Sequence, residues 1–242
     1  METRELAKAL PDIPRWIETR SLLLSGHCTI LGSDPLGEGA VICATEIRLL
    51  SVIGRPRHDL VREAISISSP GWELIGQEES ADWLRQALPD HPPETATLYG
   101  LGDMARLPRA IDTTRVRFLT PKDQFSLGHL PRELAAEIAG AICRTPVAAR
   151  FSEGLPVSFC YAGALSETLW YVWIDTVQAY RKRGFASECA SFMIRLMKHA
   201  GKNPVWGSME SNGASMQLAL KLGFSPVDRV LVYSEQKGGD EA

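Results

Sequence analysis

Residues 171–200 read YVWIDTVQAYRKRGFASECASFMIRLMKHA, and the parsing of this stretch decides the fold. The run ending at Thr176 and Val177 is apolar, aromatic and β-branched, the pattern of a strand. From Gly184 to His199 the residues Phe185, Cys189, Phe192, Met193, Leu196 and Met197 fall on one helical face, with Lys198 and His199 in the last turn and Gly201 beyond. Between strand and helix lies a basic glycine turn. In that arrangement the first N–H groups of the helix have no intrahelical partner and point into the turn at the positive end of the helix dipole. They form a seat for an anion, and a diphosphate uses several convergent donors best. Gly184 permits close approach or positive φ, Ala186 is too small to block the helix start, and Arg181, Lys182 and Arg183 add charge at the rim. Alone, the turn reads more readily as a solvated basic loop; its neighbours along the chain decide.

Working outward, TRVRFL (114–119) reads as a strand, LPRELAAEIAGAICR (130–144) as a helix, and VAARFS (147–152) and LPVSFCYAGAL (155–165) as strands joined by a Gly/Pro turn. Downstream, NPVWGSM is a short strand. NGASMQLALKLG is a helix with Asn212 as N-cap and Gly223 as stop, and DRVLVYS is a closing strand. In the first half, SLLLSGHCTILG (21–32) and GAVICATEIRLLSVIG (39–54) read as strands. SADWLRQALPD (80–90) reads as a helix capped by Ser80 and ended by Pro89, with Trp83, Leu84, Ala87 and Leu88 at helical spacing, and LPDHPPETAT (88–97) as a connection. The order predicts a mixed α/β layer protein. A boundary near Asp112 separates an N-terminal α/β domain (1–112) from a second domain (113–236), followed by a flexible polar tail (237–242).

The chain has 242 residues, 45% hydrophobic and 23% charged, enough to bury a sizeable core. Its net charge of -3 supplies no global field for nucleic acid, so anion recognition has to be local. Cys28, Cys43, Cys143, Cys160 and Cys189 show no CxxC pair and read as buried thiols in a reducing compartment. The five histidines show no HxH or HxxxH pair, so no metal is expected. No GxxxxGK[ST] or GxGxxG motif supports nucleotide hydrolysis or dinucleotide redox chemistry. The start METRELAKAL lacks a signal-peptide core, and no apolar run reaches the ~20 residues that span a bilayer, so the expected location is cytoplasmic, with no membrane partner.

The set Arg181-x-x-Gly184-x-Ala186 after a strand, followed by Asn212-x-x-Ser215 and KLGF on the next helix, resembles the GNAT superfamily of acyl-CoA-dependent N-acyltransferases over roughly Thr114–Ser234. IDTVQAYRKRGFA, PVW, SNGAS and LALKLGF look most like the branch containing the zwittermicin A resistance acetyltransferase. The resemblance implies a splayed central mixed sheet with flanking helices, acetyl-CoA as cofactor and a small-molecule primary amine as acceptor, in a monomer or homodimer. It implies that the backbone of Thr176, Val177 and Gln178 pairs with the pantetheine arm, the Thr176 N–H facing the acyl carbonyl. Arg181, Lys182, Arg183, Gly184, Phe185 and Ala186 would hold the pyrophosphate, while Asn212 either contacts the arm or only caps its helix.

Many family members carry a tyrosine four residues before the glycine of GF, as the acid that protonates the leaving thiolate. Here Ala219 stands there, and Ser215, one turn earlier, is the substitute as acid. Many also carry a glutamate eleven residues before the turn arginine, where this chain has Trp170. Glu167, Asp175 and Glu210 are the remaining candidates for the base, with Glu210 preferred, and each has a structural reading as well. Trp170, Tyr171 and Trp173 read as core and pocket wall. Two alternatives stay open: a non-catalytic acyl-CoA-binding module, motivated by Ala219 and Trp170, and an N-terminal half that is a degenerate second copy of the same fold.

Overall fold

A computed structural model describes residues 2–68, 70–102, 104, 107 and 111–235; the tail at 237–242 lies outside the described residues. It is a mixed α/β protein whose strands form central mixed sheet flanked by helices. The chain divides into two compact units: Met1–Leu98 with Gly207–Gly213 and Pro226–Ala242, and Tyr99–Trp206 with Ala214–Ser225.

The first unit opens with helices α1 (Thr3–Ala9) and α2 (Ile17–Ser25) and strand β1 (Thr29–Leu31). Strands β2 (Ala40–Ala44) and β3 (Leu49–Ile53) form an antiparallel hairpin. Helix α3 (His58–Ile67) then crosses to β4 (Glu73–Gln77), parallel to β3, and helix α4 (Ala81–Ala87) leads to β5 (Glu94–Leu101). Residues Val230–Ser234 of the last strand, β11 (Phe224–Ser234), pair antiparallel with β4. Strand β2 is buried along its whole length because both faces are covered. Val41 and Cys43 pack with Val61, Ala64 and Leu84, and Ala40, Ile42 and Ala44 pack with Leu6, Leu22 and Leu23.

The second unit contains β6 (Val116–Phe118), α5 (Arg132–Arg144), β7 (Val147–Ser152), β8 (Leu155–Leu165), β9 (Leu169–Thr176) and α6 (Phe185–His199). The first part of β10 (Asn203–Met209), most of α7 (Gly213–Lys221) and the start of β11 complete it. Strands β6 to β9 form an antiparallel meander, and β10 joins parallel to β9 after the α6 crossover. Each face of this sheet has its own core. Trp170, Val172, Cys160 and Ala148 pack with Cys189, Met193 and Met197 of α6, while Val147, Ala149, Phe159 and Tyr161 pack with Ile138 and Ala141 of α5.

Both units therefore run through the same order of antiparallel hairpin, helix, parallel strand, helix and strand. Several local expectations fail for physical reasons. SLLLS closes helix α2, where Leu22 and Leu23 are buried, so a short apolar run that suited a strand is helical. Ser80 precedes α4 without a side-chain cap, because its hydroxyl donates to the Gly54 carbonyl. Residues Glu94–Thr97, expected in a connection, already belong to β5. Of the cysteines, Cys143 is exposed and Cys28 half-buried, since α5 turns the former to solvent.

Candidate active site

The turn after β9 is shaped by alternation along the strand. The Val177 N–H donates to the Val157 carbonyl (2.9 Å), which directs the backbone groups of the preceding residue, Thr176, to the opposite edge. That edge is open. The parallel register with β10 covers only Leu169–Tyr171, so Val172–Thr176 continue without a β10 register partner. By the same alternation the backbone groups of Val172 and Ile174 face this edge too. Val177 contributes nothing to it: its N–H is taken by Val157, and its carbonyl accepts from the Tyr180 N–H (2.8 Å). The expected backbone role of Val177 is corrected accordingly, and the edge belongs to Val172, Ile174 and Thr176. Gln178, exposed, begins a 3-10 turn to Tyr180, and its carbonyl accepts from the Arg181 N–H (3.2 Å).

Thr176 is tied at two points. Its hydroxyl bonds with Ser158 Oγ (2.7 Å), and its carbonyl accepts from Arg181 Nε (3.1 Å), so the first arginine of the turn fastens the strand end as well as lining the rim. Arg183 lies over the Tyr180 ring (5.2 Å), Tyr180 stacks with Phe185 (6.5 Å), and Arg150 lies over Phe185 (4.4 Å). Lys182 takes a positive φ (61°) and has no hydrogen-bond or ion-pair partner among the described residues.

Gly184, with φ 84°, is the N-cap of α6, and no side chain caps the helix. The first amide bonded at this end is that of Glu188, to the Gly184 carbonyl (3.2 Å), so the N–H groups of Phe185, Ala186 and Ser187 precede the ladder. A Cβ built on Gly184 would meet no atom within 4 Å, so the space beside these donors is open. The acid in the first turn, Glu188, would oppose an anion; it is matched by Arg150, whose Nε donates to it at 2.6 Å and which is only 5% exposed. Sequence reasoning missed Arg150, a contact between residues far apart in the chain. Uncapped amides, open space and surplus cations fit a diphosphate.

On α7, Ser215 Oγ accepts from the Trp206 indole N–H (3.0 Å), which fixes the oxygen in place. Ala219, one turn on, is 0% exposed and packs in the core beside Trp206, Leu222 and Phe224, so a phenol at this position would displace core side chains. Asn212 and Glu210 lie in the other unit. Glu210 accepts from Arg229 Nη2 (2.6 Å) and Thr97 Oγ1 (3.1 Å), an exposed ion pair. Asp175 is half-buried on the α5 face of β9, and burial first, then the neighbouring Glu137 carboxylate, raise its pKa to about 6 against the opposing pull of Arg181. Glu167 lies beyond the other end of β9, before Leu169.

Among the described residues, no group of three His, Cys, Asp or Glu side chains could hold a metal ion, and no helix is long and apolar enough to cross a membrane.

The fold is shared with solved structures of low identity. A GCN5-related N-acetyltransferase-like protein from Streptococcus suis aligns with TM-score 0.69 and 17% identity over 97% of this chain and 98% of its own. A GNAT-family protein from Novosphingobium aromaticivorans gives 0.64 and 16% over 92% and 96%. A GCN5-related N-acetyltransferase from Kribbella flavida gives 0.62 and 12% over 96% of each chain. No curated protein matches the sequence. Residues 149–233, from β7 into β11, match the family model described as GNAT acetyltransferase.

Proposed function

We propose that this protein is an acetyl-CoA-dependent N-acetyltransferase that acts on a small-molecule primary amine by direct transfer. The observation that carries the reading is the uncapped start of α6: the amides of Phe185, Ala186 and Ser187 beside an open Gly184, inside a stretch matching the GNAT acetyltransferase model. In this reading Gly184, Phe185 and Ala186 offer backbone donors to the diphosphate, and Arg181, Lys182 and Arg183 supply the surrounding charge. The backbone of Thr176, with Ile174 and Val172 behind it, pairs with the amides of the pantetheine arm along the open edge, with Gln178 next along the chain, while Asn212 either contacts the arm or only caps its helix.

Acetyl-CoA supplies the activated acyl group as a thioester. The Thr176 N–H points to the edge where the acyl oxygen gathers charge during transfer. Ser215, held by Trp206, gives a proton to the leaving sulfur, a mild demand for a thiol whose pKa is about 8.5. Glu210, which ion-pairs with Arg229, is the carboxylate preferred as base from the sequence. The resemblance to the zwittermicin resistance branch places an aminopolyol among the acceptors to assay.

The buried Ala219, in place of the usual tyrosine, motivates a second reading, a non-catalytic acyl-CoA-binding module. Calorimetric binding of acetyl-CoA combined with CoA release over a panel of amines separates the two. Binding with turnover is the expected result; binding with no turnover on any amine favours the module.

A further inference from the structure

The α5 face of the second unit gathers Asp175 and Trp173 with Glu137 and Tyr161, two residues that the sequence reading did not single out. Alternation along β9 places Trp170, Val172 and Ile174 against α6 and directs Trp173 and Asp175 to the other face. There the register sets Trp173 opposite Tyr161 and Asp175 opposite Phe159. The Tyr161 hydroxyl donates to Glu137 of α5, and its ring lies 6.1 Å from that of Trp173. Trp173 is 42% exposed, and its indole crosses Gly163 so closely that a Cβ there would sit 2.1 Å from Cδ1. The register between β8 and β9 slips between Ala162 and Leu165, beside this glycine. A flat exposed indole, a phenol and two half-buried carboxylates share one face, beside the open backbone edge at Thr176.

We infer that Asp175 is the base of the transfer reaction, that the neighbouring Glu137–Tyr161 pair tunes it through charge, and that the acceptor is a cationic primary alkylamine lying on Trp173. The inference rests on the acetyltransferase reading above and replaces Glu210 in that role. Asp175 and Thr176 are consecutive, their Cα atoms about 3.8 Å apart, so the carboxylate and the N–H at the open edge serve one reacting centre. An ammonium over the indole face gains a cation–π contact and meets the carboxylates from the same side.

The protons and bonds balance. Asp175 accepts one proton from the ammonium; the freed nitrogen lone pair forms the C–N bond as the thioester C–S bond breaks. Ser215 gives its proton to the departing sulfur and regains one from the nitrogen, and Asp175 returns its proton to solvent. The titratable and charged groups facing Asp175 are Glu137 from α5, Tyr161 from β8 and Arg181 from the turn. With a pKa near 6, the carboxylate is charged at neutral pH yet a far better proton acceptor than an ordinary aspartate. It loses this role as pH falls through that value.

The test uses the full chain with acetyl-CoA and three amines: putrescine, tyramine and 2-amino-1,3-propanediol. Wild-type protein is expected to acetylate at least one of them, with kcat/KM falling on the acid side of about pH 6. Asp175→Asn should lower kcat about 100-fold or more while leaving acetyl-CoA affinity unchanged by calorimetry. Glu137→Gln should move the acid limb of kcat/KM to lower pH, because it removes the neighbouring negative charge. That shift is a readout that a purely structural role would not produce, and it stands even if Asp175→Asn fails to fold. Retained kcat in a folded Asp175→Asn, or an acid limb unmoved by Glu137→Gln, overturns the inference and leaves the acetyltransferase reading intact. Acetyl-CoA binding without turnover on any of the three amines also overturns it. Wild-type protein that does not bind acetyl-CoA overturns both.

Discussion

The turn after β3 and the turn after β9 hold the same place in two units built in the same order, yet their backbones are packed differently. After β9, Gly184 leaves open space beside uncapped amides. After β3 the turn backbone is itself packed against Gly39. Gly39 packs so tightly there that a Cβ would lie 2.5 Å from the Ile53 carbonyl oxygen, 2.7 Å from the Arg55 nitrogen and 2.8 Å from the Pro56 nitrogen. Pro56 also has no N–H to offer, and Arg57 is matched by Asp59 through two hydrogen bonds. The first turn is basic too, with Arg55 and Arg57 against the three cations of the second, so the sign of the charge does not separate them. What separates them is the packing of the turn: Gly39 abuts the backbone of the first, and nothing lies within 4 Å of a Cβ on Gly184 in the second. A basic glycine turn in a sequence is therefore a weak signal until the packing around it is known.

The largest break in this contrast should come from Gly184→Glu, which puts a carboxylate among the donors and forces a side chain to φ 84°. Acetyl-CoA affinity by calorimetry should fall by about 100-fold or more, whereas Arg55→Ala in the other turn should leave it unchanged. Equal losses from the two variants would erase the distinction between the turns.

Next in size is Ser215→Ala, expected to lower kcat about 10- to 100-fold with KM nearly constant; unchanged kinetics would return the hydroxyl to a structural role beside Trp206. Arg150→Met should then destabilise the protein by about 2 kcal/mol in urea unfolding, because it strands Glu188 beside the helix start. Adding Glu188→Gln should recover part of that loss and restore acetyl-CoA affinity; no recovery would mean that Arg150 acts through Phe185 packing instead. The smallest effect belongs to Arg181→Ala, a few-fold rise in KM for acetyl-CoA from releasing the Thr176 carbonyl and one rim charge.

Periodicity made the second unit legible and the first less so. Helix α6 starts one residue after Gly184 and ends at His199, as its apolar spacing predicted, because its stripe faces one large core. SLLLS carried no such stripe and was helical. At the site, local spacing revealed Gly184 and the cations, since donors and charges there are neighbours in the chain. It could not reveal Arg150 against Glu188, Tyr161 against Glu137 or the indole of Trp173 over Gly163, because strand pairing makes those contacts. Nor could it show that Val177 spends its N–H on Val157, a matter of strand parity that only the register fixes.

The most direct measurement is a backbone amide titration of 15N-labelled protein with acetyl-CoA. The account predicts that the resonances of Phe185, Ala186 and Ser187 move most as those amides take on the diphosphate, while His58, Asp59 and Leu60 at the start of α3 stay in place. Saturable binding that leaves Phe185–Ser187 unmoved, or that moves the start of α3 instead, would contradict it.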